Sequence, residues 1–446
     1  MNHILGLIMS SALGFLGVNL LRTMGRVDPL IHLVASIGLG SMLSAQIGFY
    51  TLFILGEYSV PAVFAGHGLA LVLLVIANLR AFLKDPGSLC PKWPSDRMTW
   101  LGFIILSLLL LPLWREARFF PFGGWDAWAC WNLKAKFIFL GGEGWKHMLD
   151  TSMWRSNNQY PFALPLMNAW GWTFTKDPSV LVPMTNTILF SFLTALTMFW
   201  AASKRKSRIA NVIPALMLFT LPFVNTLSIS QYSDIVLAFF LLGTLTSLVA
   251  ARVNNNPAMA LLAGLFCGAM CFTKSEGTFA AVIIAGLSLP YFRKDPKGSW
   301  ALLGSFLTAG VVSALPSILF QLYWATANVS FINGLTSPDH PITLDRLKAI
   351  AMFLALECVS PKWNGLWILL TCGLLLAGTR ALRNGLGIVA AFLGIYLLGA
   401  LVFYSINTHY EILWWLGATL NRILYTILPV VVWWIFAALW DHSDKK

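Results

Sequence analysis

The chain has 446 residues, of which 58% are hydrophobic and only 11% are charged, and its formal net charge is +12. Soluble domains are about one quarter charged, so this composition excludes a water-soluble body with a polar surface. In a membrane protein an excess of Lys and Arg reflects topology first, so the basic balance does not indicate nucleic acid.

Long apolar runs recur along the whole chain. A hydrocarbon core roughly 30 Å thick needs about 20 apolar residues per helix, and continuous runs favour helices over the alternating strands of a barrel. The fold class is therefore predicted to be an all-α polytopic membrane protein with about thirteen transmembrane helices. The predicted spans cover residues 4–21, 30–55, 60–79, 100–114, 180–202, 209–228, 235–251, 258–272, 278–292, 300–325, 364–378, 385–404 and 420–440.

Alternation of these spans gathers the short basic loops on one face. Lys and Arg in short loops collect on the cytoplasmic side, so we expect this face to be cytoplasmic and loops 115–179 and 328–346 to face outward. Segment 342–355 would break the alternation as a span, and it is predicted to form an amphipathic helix on the outer interface. The basic segments are 22–26, 80–97, 204–208, Arg252, 293–297, 380–383 and 445–446.

The first candidate motif lies in the long outward loop and reads GGWDAWACWNLKAK at 123–136. Trp125, Trp128 and Trp131 are spaced to share one face of a helix at the headgroup level. Asp126 would then sit near the first helical turn, where the helix dipole favours a carboxylate. A plain interfacial helix with solvated charges explains the spacing equally well.

Four further motifs fall on the predicted outer face, and each also has a simple structural interpretation. Segment 157–165 (NNQYPFALP) is a polar turn with prolines, and Asp234 in QYSD could cap the next helix. Lys274 and Glu276 lie between short apolar runs, which indicates a broken helix lining a polar cavity or a tight hairpin. Arg422 stands at the outer start of the last span, where it could snorkel. Because one topology places all five motifs on the same face, they predict a shared site.

Taken in order, GWDAW, NLKAK, NNQYPFALPL, QYSD, KSEG and a late NR resemble the GT-C superfamily of glycosyltransferases. The resemblance is to the branch with protein mannosyltransferases and lipid A aminoarabinose transferases. Members are multispan enzymes that transfer a sugar from a polyprenyl-phosphate carrier on the non-cytoplasmic face. The resemblance implies an added group of helices at 1–99, a GT-C-like core at 100–440 that includes the outer loop 115–179, and a cytoplasmic tail at 441–446.

The resemblance also implies roles for individual residues. Asp126 corresponds to the family's catalytic acidic residue, a general base on the acceptor hydroxyl, with inversion at the anomeric carbon. Tyr160 and Pro161 match a "YP" element that shapes the loop. The residues expected to bind the donor phosphate are Lys134, Lys136, Lys274 and Arg422. Those expected to bind substrate or shape the site are Trp125, Trp128, Trp131, Tyr160, Asp234 and Glu276.

Several members of this superfamily carry two neighbouring acidic residues in the first loop, which can hold a divalent metal. Here Asp126 is flanked by Ala127 and Ala129, and the six cysteines form no CxxC pair. No metal and no other cofactor is therefore expected.

The expected partners are a polyprenyl-phosphate-linked sugar donor, a lipid, glycan or protein acceptor, and membrane lipids, without nucleic acid. The expected location is a bacterial-type inner membrane, in the cell envelope, with the site facing outward. Two other functions stay open. A multispan transporter or lipid flippase would also need buried charges and broken helices, although no repeat between the halves is evident. A lipid-linked polysaccharide polymerase or ligase would use the same carrier and face with a different acceptor.

Overall fold

The computed structural model describes residues 2–84, 96–202, 208–293, 299–325, 342–406 and 411–440. The structure is 86% helical, and no strand occurs within these ranges. The α-helices in chain order are α1 His3–Leu21, α2 Pro29–Leu55, α3 Val60–Lys84, α4 Arg97–Leu108, α5 Leu110–Phe119, α6 Asn132–Leu140, α7 Ala163–Thr175, α8 Leu181–Ala202, α9 Ile213–Phe219, α10 Pro222–Ile229, α11 Ser233–Val253, α12 Pro257–Thr273, α13 Ser275–Arg293, α14 Ser299–Tyr323, α15 Leu344–Cys358, α16 Leu366–Ala377, α17 Gly387–Ile406 and α18 Ile412–Leu439. The all-α class is confirmed.

Ten helices of the described chain, with α4 and α5 counted together, are long and apolar enough to cross a membrane. This number confirms a polytopic membrane protein, whereas the count of thirteen stays a prediction. The remaining three predicted spans are bent or short. Helices α9 and α10 form one predicted span and lie at 75° to each other, while α12 has only 17 residues and α16 only 12. The bend follows from Pro222, which begins α10 and has no N–H to continue the hydrogen bonding of α9.

The N-terminal helices share one hydrophobic core with the rest of the protein. Helix α2 packs against α1, α7 and α8. The indole N–H of Trp145, in the long loop, donates to the carbonyl of Gly56 at 2.7 Å. Gln46 of α2 also donates to the carbonyl of Ser313 in α14 at 2.8 Å. The predicted division at residues 99 and 100 stays a prediction, and no boundary between separate cores corresponds to it in the described chain.

Helices α12 and α14 cross at close range, which fixes the end of α12. A Cβ at Gly264 or Gly268 would collide with the backbone of α14 at Phe306 or Gly310, so glycine permits the two backbones to touch. Small residues allow such close packing where no aqueous hydrophobic effect drives association. Ser317 of α14 also donates to the carbonyl of Cys271 at 2.9 Å. This packing holds the segment that follows α12, where Lys274 lies.

Loops that were predicted to share the basic face lie together at one end of the bundle. Asn256 donates to the carbonyl of Arg26 at 2.6 Å. The guanidinium of Arg252 lies 4.3 Å from the ring centroid of Tyr291, and the Tyr291 hydroxyl donates to the carbonyl of Gly385 at 3.0 Å. Parts of the predicted basic face lie outside the described residues, namely 85–95, 203–207, 294–298 and the tail 441–446.

The predicted amphipathic segment 342–355 corresponds to α15. Thr343 caps the helix by accepting from the N–H of Arg346 at 3.2 Å. The Arg346 side chain donates to the carbonyl of Tyr404 at the end of α17, at 3.0 and 2.9 Å. Helix α15 packs against α17 and α18 and keeps much of its surface exposed. Its placement at a membrane interface stays a prediction, and loop residues 328–341 lie outside the described residues.

Candidate functional site

Arg422 joins two carboxylates at the end of the bundle opposite the Arg252 end. Its Nη1 lies 2.6 Å from Oδ2 of Asp126, and its Nη2 lies 2.7 Å from Oδ2 of Asp234. A planar guanidinium suits this double pairing because its donors form a rigid fork. The side chain of Asp234 is 1% exposed and that of Asp126 is 22% exposed. Asp234 is therefore the buried anchor, and Asp126 is the carboxylate that a ligand can reach.

Lys274 extends the same cluster from the junction of α12 and α13. Its Nζ lies 3.1 Å from Oδ1 of Asp234 and 2.9 Å from Oε1 of Glu276. The Tyr160 hydroxyl donates to Oε1 of Glu276 at 3.4 Å. The structure thus brings together six residues that the sequence predicted for one site: Asp126, Tyr160, Asp234, Lys274, Glu276 and Arg422.

Helix ends deliver most of these side chains. Asp234 lies in the first turn of α11, Glu276 lies in the first turn of α13, and Lys274 lies in the extended residue between α12 and α13. The break of the helix at Lys274 agrees with the interpretation of TKSEG as a polar interruption. Carboxylates near helix N-termini are stabilised by the helix dipole. Short interruptions between apolar helices therefore concentrate the charge here.

The loop before Asp126 packs tightly on the turn at 230–232. Gly124 donates from its backbone N–H to the carbonyl of Ser230 at 3.0 Å. Gly123 has a φ of +66°, a conformation that favours glycine. A Cβ on Gly124 would collide with the Tyr232 hydroxyl. The backbone N–H of Asp126 donates to that same hydroxyl at 3.3 Å, so the two glycines allow the contact that places Asp126.

The three tryptophans of the loop do not share one face, and that expectation is wrong. Residues 127–131 form a π-helical turn, whose wider winding moves the third tryptophan away from the first two. Trp125 and Trp128 are 54% and 50% exposed and lie 4.2 Å apart between ring centroids. Trp131 is fully buried and stacks on Tyr160 at 5.5 Å. Trp131 therefore packs beneath the surface against Tyr160 and supports the site, whereas Trp125 and Trp128 form an exposed aromatic rim beside Asp126.

Lys134 and Lys136 do not join the charged cluster, contrary to their expected contact with a donor phosphate. Lys134 is fully buried, and its Nζ donates to the carbonyls of Asn157 and Tyr160 at 2.8 and 3.1 Å. Burial lowers the pKa of this ammonium. Lys134 thus holds the 157–160 turn in place, and Lys136 is exposed on α6. Spacing could not distinguish them because the π-helical turn rotates α6 relative to Asp126.

The five charged side chains of the cluster carry a net negative formal charge. Asp126, Asp234 and Glu276 carry three negative charges, and Lys274 and Arg422 carry two positive charges, so the net formal charge of these five groups is 2 − 3 = −1. Burial opposes the charge on Lys274, but the Asp234 and Glu276 carboxylates outweigh it and raise the pKa of Lys274 well above its usual range. Lys274 therefore stays protonated at neutral pH.

Burial also raises the pKa of the Tyr160 and Tyr232 hydroxyls. The Tyr232 ring lies 4.7 Å from the Arg422 guanidinium, and cations favour such ring faces. Oε2 of Glu276 and Nε of Arg422 are buried and have no hydrogen-bond partner among the residues that the structure describes.

Sequence reasoning missed Gln231 and Tyr232, although both belong to the QYSD motif. No signal in their spacing distinguishes a residue that orients the loop from an ordinary helix cap. Within the described residues, no group of three or more His, Cys, Asp or Glu side chains is arranged to hold a metal ion. Comparisons with protein-family models, with curated proteins and with solved structures find no match.

Proposed function

We propose that this protein is a membrane glycosyltransferase that transfers a sugar from a polyprenyl-phosphate carrier to an acceptor hydroxyl, with Asp126 as the general base. The observation that carries the proposal is the pairing of two partly exposed side chains, the carboxylate of Asp126 and the guanidinium of Arg422, beside Lys274. A base and cations within one small cluster meet the needs of a reaction in which a phosphate leaves. The resemblance of the motifs to GT-C enzymes supports the same activity.

The proposed step balances as an inverting displacement. The acceptor oxygen forms a bond to the anomeric carbon while its proton passes to the Asp126 carboxylate. The bond from the anomeric carbon to the phosphate oxygen breaks, and its electron pair stays on the polyprenyl phosphate. Arg422 and Lys274 stabilise the negative charge that grows there, since Arg binds phosphate as a bidentate fork.

The arrangement of Arg422 indicates how donor binding prepares the base. Both Nη atoms are paired with carboxylates, and of these two carboxylates Asp126 is the more exposed. A donor phosphate competes with Asp126 for Nη1. Asp126 then loses its cation and becomes available to the acceptor hydroxyl. The salt bridge keeps the base occupied until the donor has bound.

The exposed tryptophans Trp125 and Trp128 flank Asp126 in the sequence. Together they offer an apolar face for the ring of a sugar. Aromatic residues bury large area with specific geometry. In this proposal Trp125 and Trp128 contact the transferred sugar or the acceptor, and the outer face of a bacterial-type inner membrane is the proposed location.

A transporter or lipid flippase is the second candidate function. The observation that favours it is the charged cluster at the break between α12 and α13, together with the bent pair α9–α10, because discontinuous helices often form transporter sites. A polysaccharide polymerase or ligase would use the same cluster with another acceptor.

Native mass spectrometry of the detergent-purified protein with undecaprenyl phosphate tests the carrier site. Saturable binding that Arg422→Ala and Lys274→Ala weaken, but that Lys136→Ala leaves unchanged, is the expected result. Lys136 is the matched control because it is an exposed lysine of the 123–136 motif that lies outside the charged cluster. Binding no stronger than that of bulk phospholipid, or equal losses in all three variants, would overturn the carrier site and favour transport, which proteoliposome assays measure.

A further inference from the structure

Four side-chain amides form a continuous hydrogen-bonded chain that ends at the loop carrying Asp126. Asn186 of α8 donates to Oδ1 of Asn168 at 2.8 Å, and Asn168 of α7 donates to Oδ1 of Asn132 at 3.0 Å. Asn132 of α6 donates to Oε1 of Gln231 at 2.7 Å. Gln231 donates in turn to the carbonyl of Pro121 at 2.9 Å. The amide chain, as we call these four residues, thus links three helices to the loop.

Three of the four members of the amide chain are buried and Asn132 is partly buried, so the members depend on one another. Asn168 and Gln231 are fully buried, and Asn186 is 5% exposed. Each of its internal carboxamides accepts from one neighbour and donates to the next. Removing one member leaves a buried donor or acceptor without a partner, which is more costly than the loss of an ordinary surface hydrogen bond.

The last link of the amide chain lies where the Asp126 loop meets the turn at 230–232. Gln231 has a φ of +60°. Residues other than glycine rarely adopt this backbone conformation, so the surrounding contacts must maintain it. Two amides of the loop, those of Gly124 and Asp126, donate to Ser230 and Tyr232 on either side of Gln231. The orientation of Gln231 therefore determines where the loop that carries Asp126 lies relative to Arg422.

We infer that Gln231 is a positioning residue for Asp126 and that Asn132, Asn168 and Asn186 hold Gln231 in its working orientation. The structural part of this inference is independent of the reaction, whereas its kinetic part rests on the proposed function. It assigns buried helix residues, remote from the charged cluster, a role in aligning the base with the acceptor.

Hydrogen–deuterium exchange of the purified full-length protein tests the structural part. Gln231→Met and Asn168→Leu are expected to speed exchange in the peptide covering 119–131 by about tenfold, the factor for one ordinary hydrogen bond. Peptides from the middle of α11 should change little. The thermal unfolding midpoint should fall no further than in the control variant, which also leaves a buried amide partner unpaired. The matched control is Asn78→Leu, which removes a buried amide that accepts from Asn19 and donates to backbone carbonyls elsewhere in the bundle.

If Asn168→Leu changes exchange at 119–131 no more than Asn78→Leu does, the inference is overturned. Gln231→Glu separates the two ends of the link, because it still accepts from Asn132 but cannot donate to Pro121. It should therefore loosen the loop as Gln231→Met does, and an unchanged loop would contradict the role of the Pro121 contact.

The kinetic part is measured as transfer of sugar from the polyprenyl-phosphate donor. With Asn168→Leu we expect kcat to fall about a hundredfold, since a misplacement of about 1 Å costs this much. The donor KM should not rise, because Arg422 is intact and a displaced Asp126 competes less for it. Donor-binding stoichiometry corrects for inactive protein. An unchanged kcat would overturn the positioning role. Absence of transfer by the unmodified protein would count against the proposed function alone, because the exchange result still decides the structural part.

Discussion

Nη1 of Arg422 lies 2.6 Å from Oδ2 of Asp126, so the last helix directly holds the carboxylate of the long loop. The same guanidinium holds Asp234 at 2.7 Å. Because one guanidinium pairs with two carboxylates, a change in any of the three side chains alters the electrostatics of the others.

Asp126→Asn is expected to abolish transfer while the protein stays folded. A general base contributes about 10²–10⁴-fold to rate, and the amide cannot take the acceptor proton. Binding of undecaprenyl phosphate should persist because Arg422 and Lys274 remain. Asp150→Asn, an exposed carboxylate of the same loop, is the control. Full transfer by Asp126→Asn in a discontinuous assay with radiolabelled donor would remove Asp126 as the base.

Arg422→Lys is expected to weaken donor binding about 10–100-fold, the range for hydrogen bonds to charged groups, because lysine keeps the charge and loses the fork. Arg422→Ala should also destabilise the fold, by less than the about 3–5 kcal/mol that an uncompensated buried charge costs, because Lys274 still pairs with Asp234. Native mass spectrometry measures the first effect and thermal unfolding the second. A double-mutant cycle with Asp126→Asn gives the coupling energy, and zero coupling would contradict the observed pair.

Gly124→Ala is expected to displace Asp126 without unfolding the helices. The added Cβ collides with the Tyr232 hydroxyl, so the loop must lift from the turn at 230–232. Transfer should fall at an unchanged midpoint of thermal unfolding. Gly144→Ala is the matched control, because a Cβ there meets only the His147 ring at 3.4 Å. Equal activities of the two variants would show that close packing at Gly124 is dispensable.

Trp131→Ala and Trp128→Ala should separate support from contact. Trp131 is fully buried against Tyr160, and truncation of such a side chain costs about 3–5 kcal/mol. Trp128 is half exposed, so its removal should leave the unfolding midpoint close to that of the unmodified protein and raise KM for donor or acceptor. The opposite pattern in thermal unfolding would refute the assignment of support to Trp131.

Lys134→Met should change how stability depends on pH. Burial lowers the pKa of Lys134 in the folded protein, so the unfolded chain binds more protons in the alkaline range below the ordinary lysine pKa of about 10.4. The free energy of unfolding of the unmodified protein therefore gains from rising pH in that window through this group. The variant lacks this gain, so its stability relative to the unmodified protein should fall as pH rises. Thermal unfolding from about pH 7 to pH 10, with Lys136→Met as control, measures it, and parallel profiles would refute it.

Much of the charged cluster could be predicted from the sequence because each member interrupts an apolar run. Asp234, Lys274 and Arg422 are expensive at membrane depth, so hydropathy alone marks them. Alternation of the spans then brings Asp234 and Lys274, which lie at helix ends, to the same face as Arg422. The structure places Arg422 inside α18, which begins at Ile412 and not at the expected residue 420. These steps need no knowledge of side-chain packing.

The errors arose where local winding departs from an α-helix. Helical spacing put Trp131 with Trp125 and Trp128, but the π-helical turn at 127–131 moved it into the core. The same turn sends Lys134 under the 157–160 turn instead of toward Arg422. The role of Gln231 was beyond the sequence too, since it depends on partners from three separate helices.

Arg422 follows the other charged residues of the cluster in the sequence, and this order also bears on how the protein is made. Asp126, Asp234, Lys274 and Glu276 are all synthesised before it, and their formal charges sum to 1 − 3 = −2 until the last helix arrives. Domains and helices generally assemble in the order of synthesis. Helix α18 therefore completes the site. A chain that stops before residue 412 contains Asp126 and Asp234 but lacks Arg422, the cation that pairs with both.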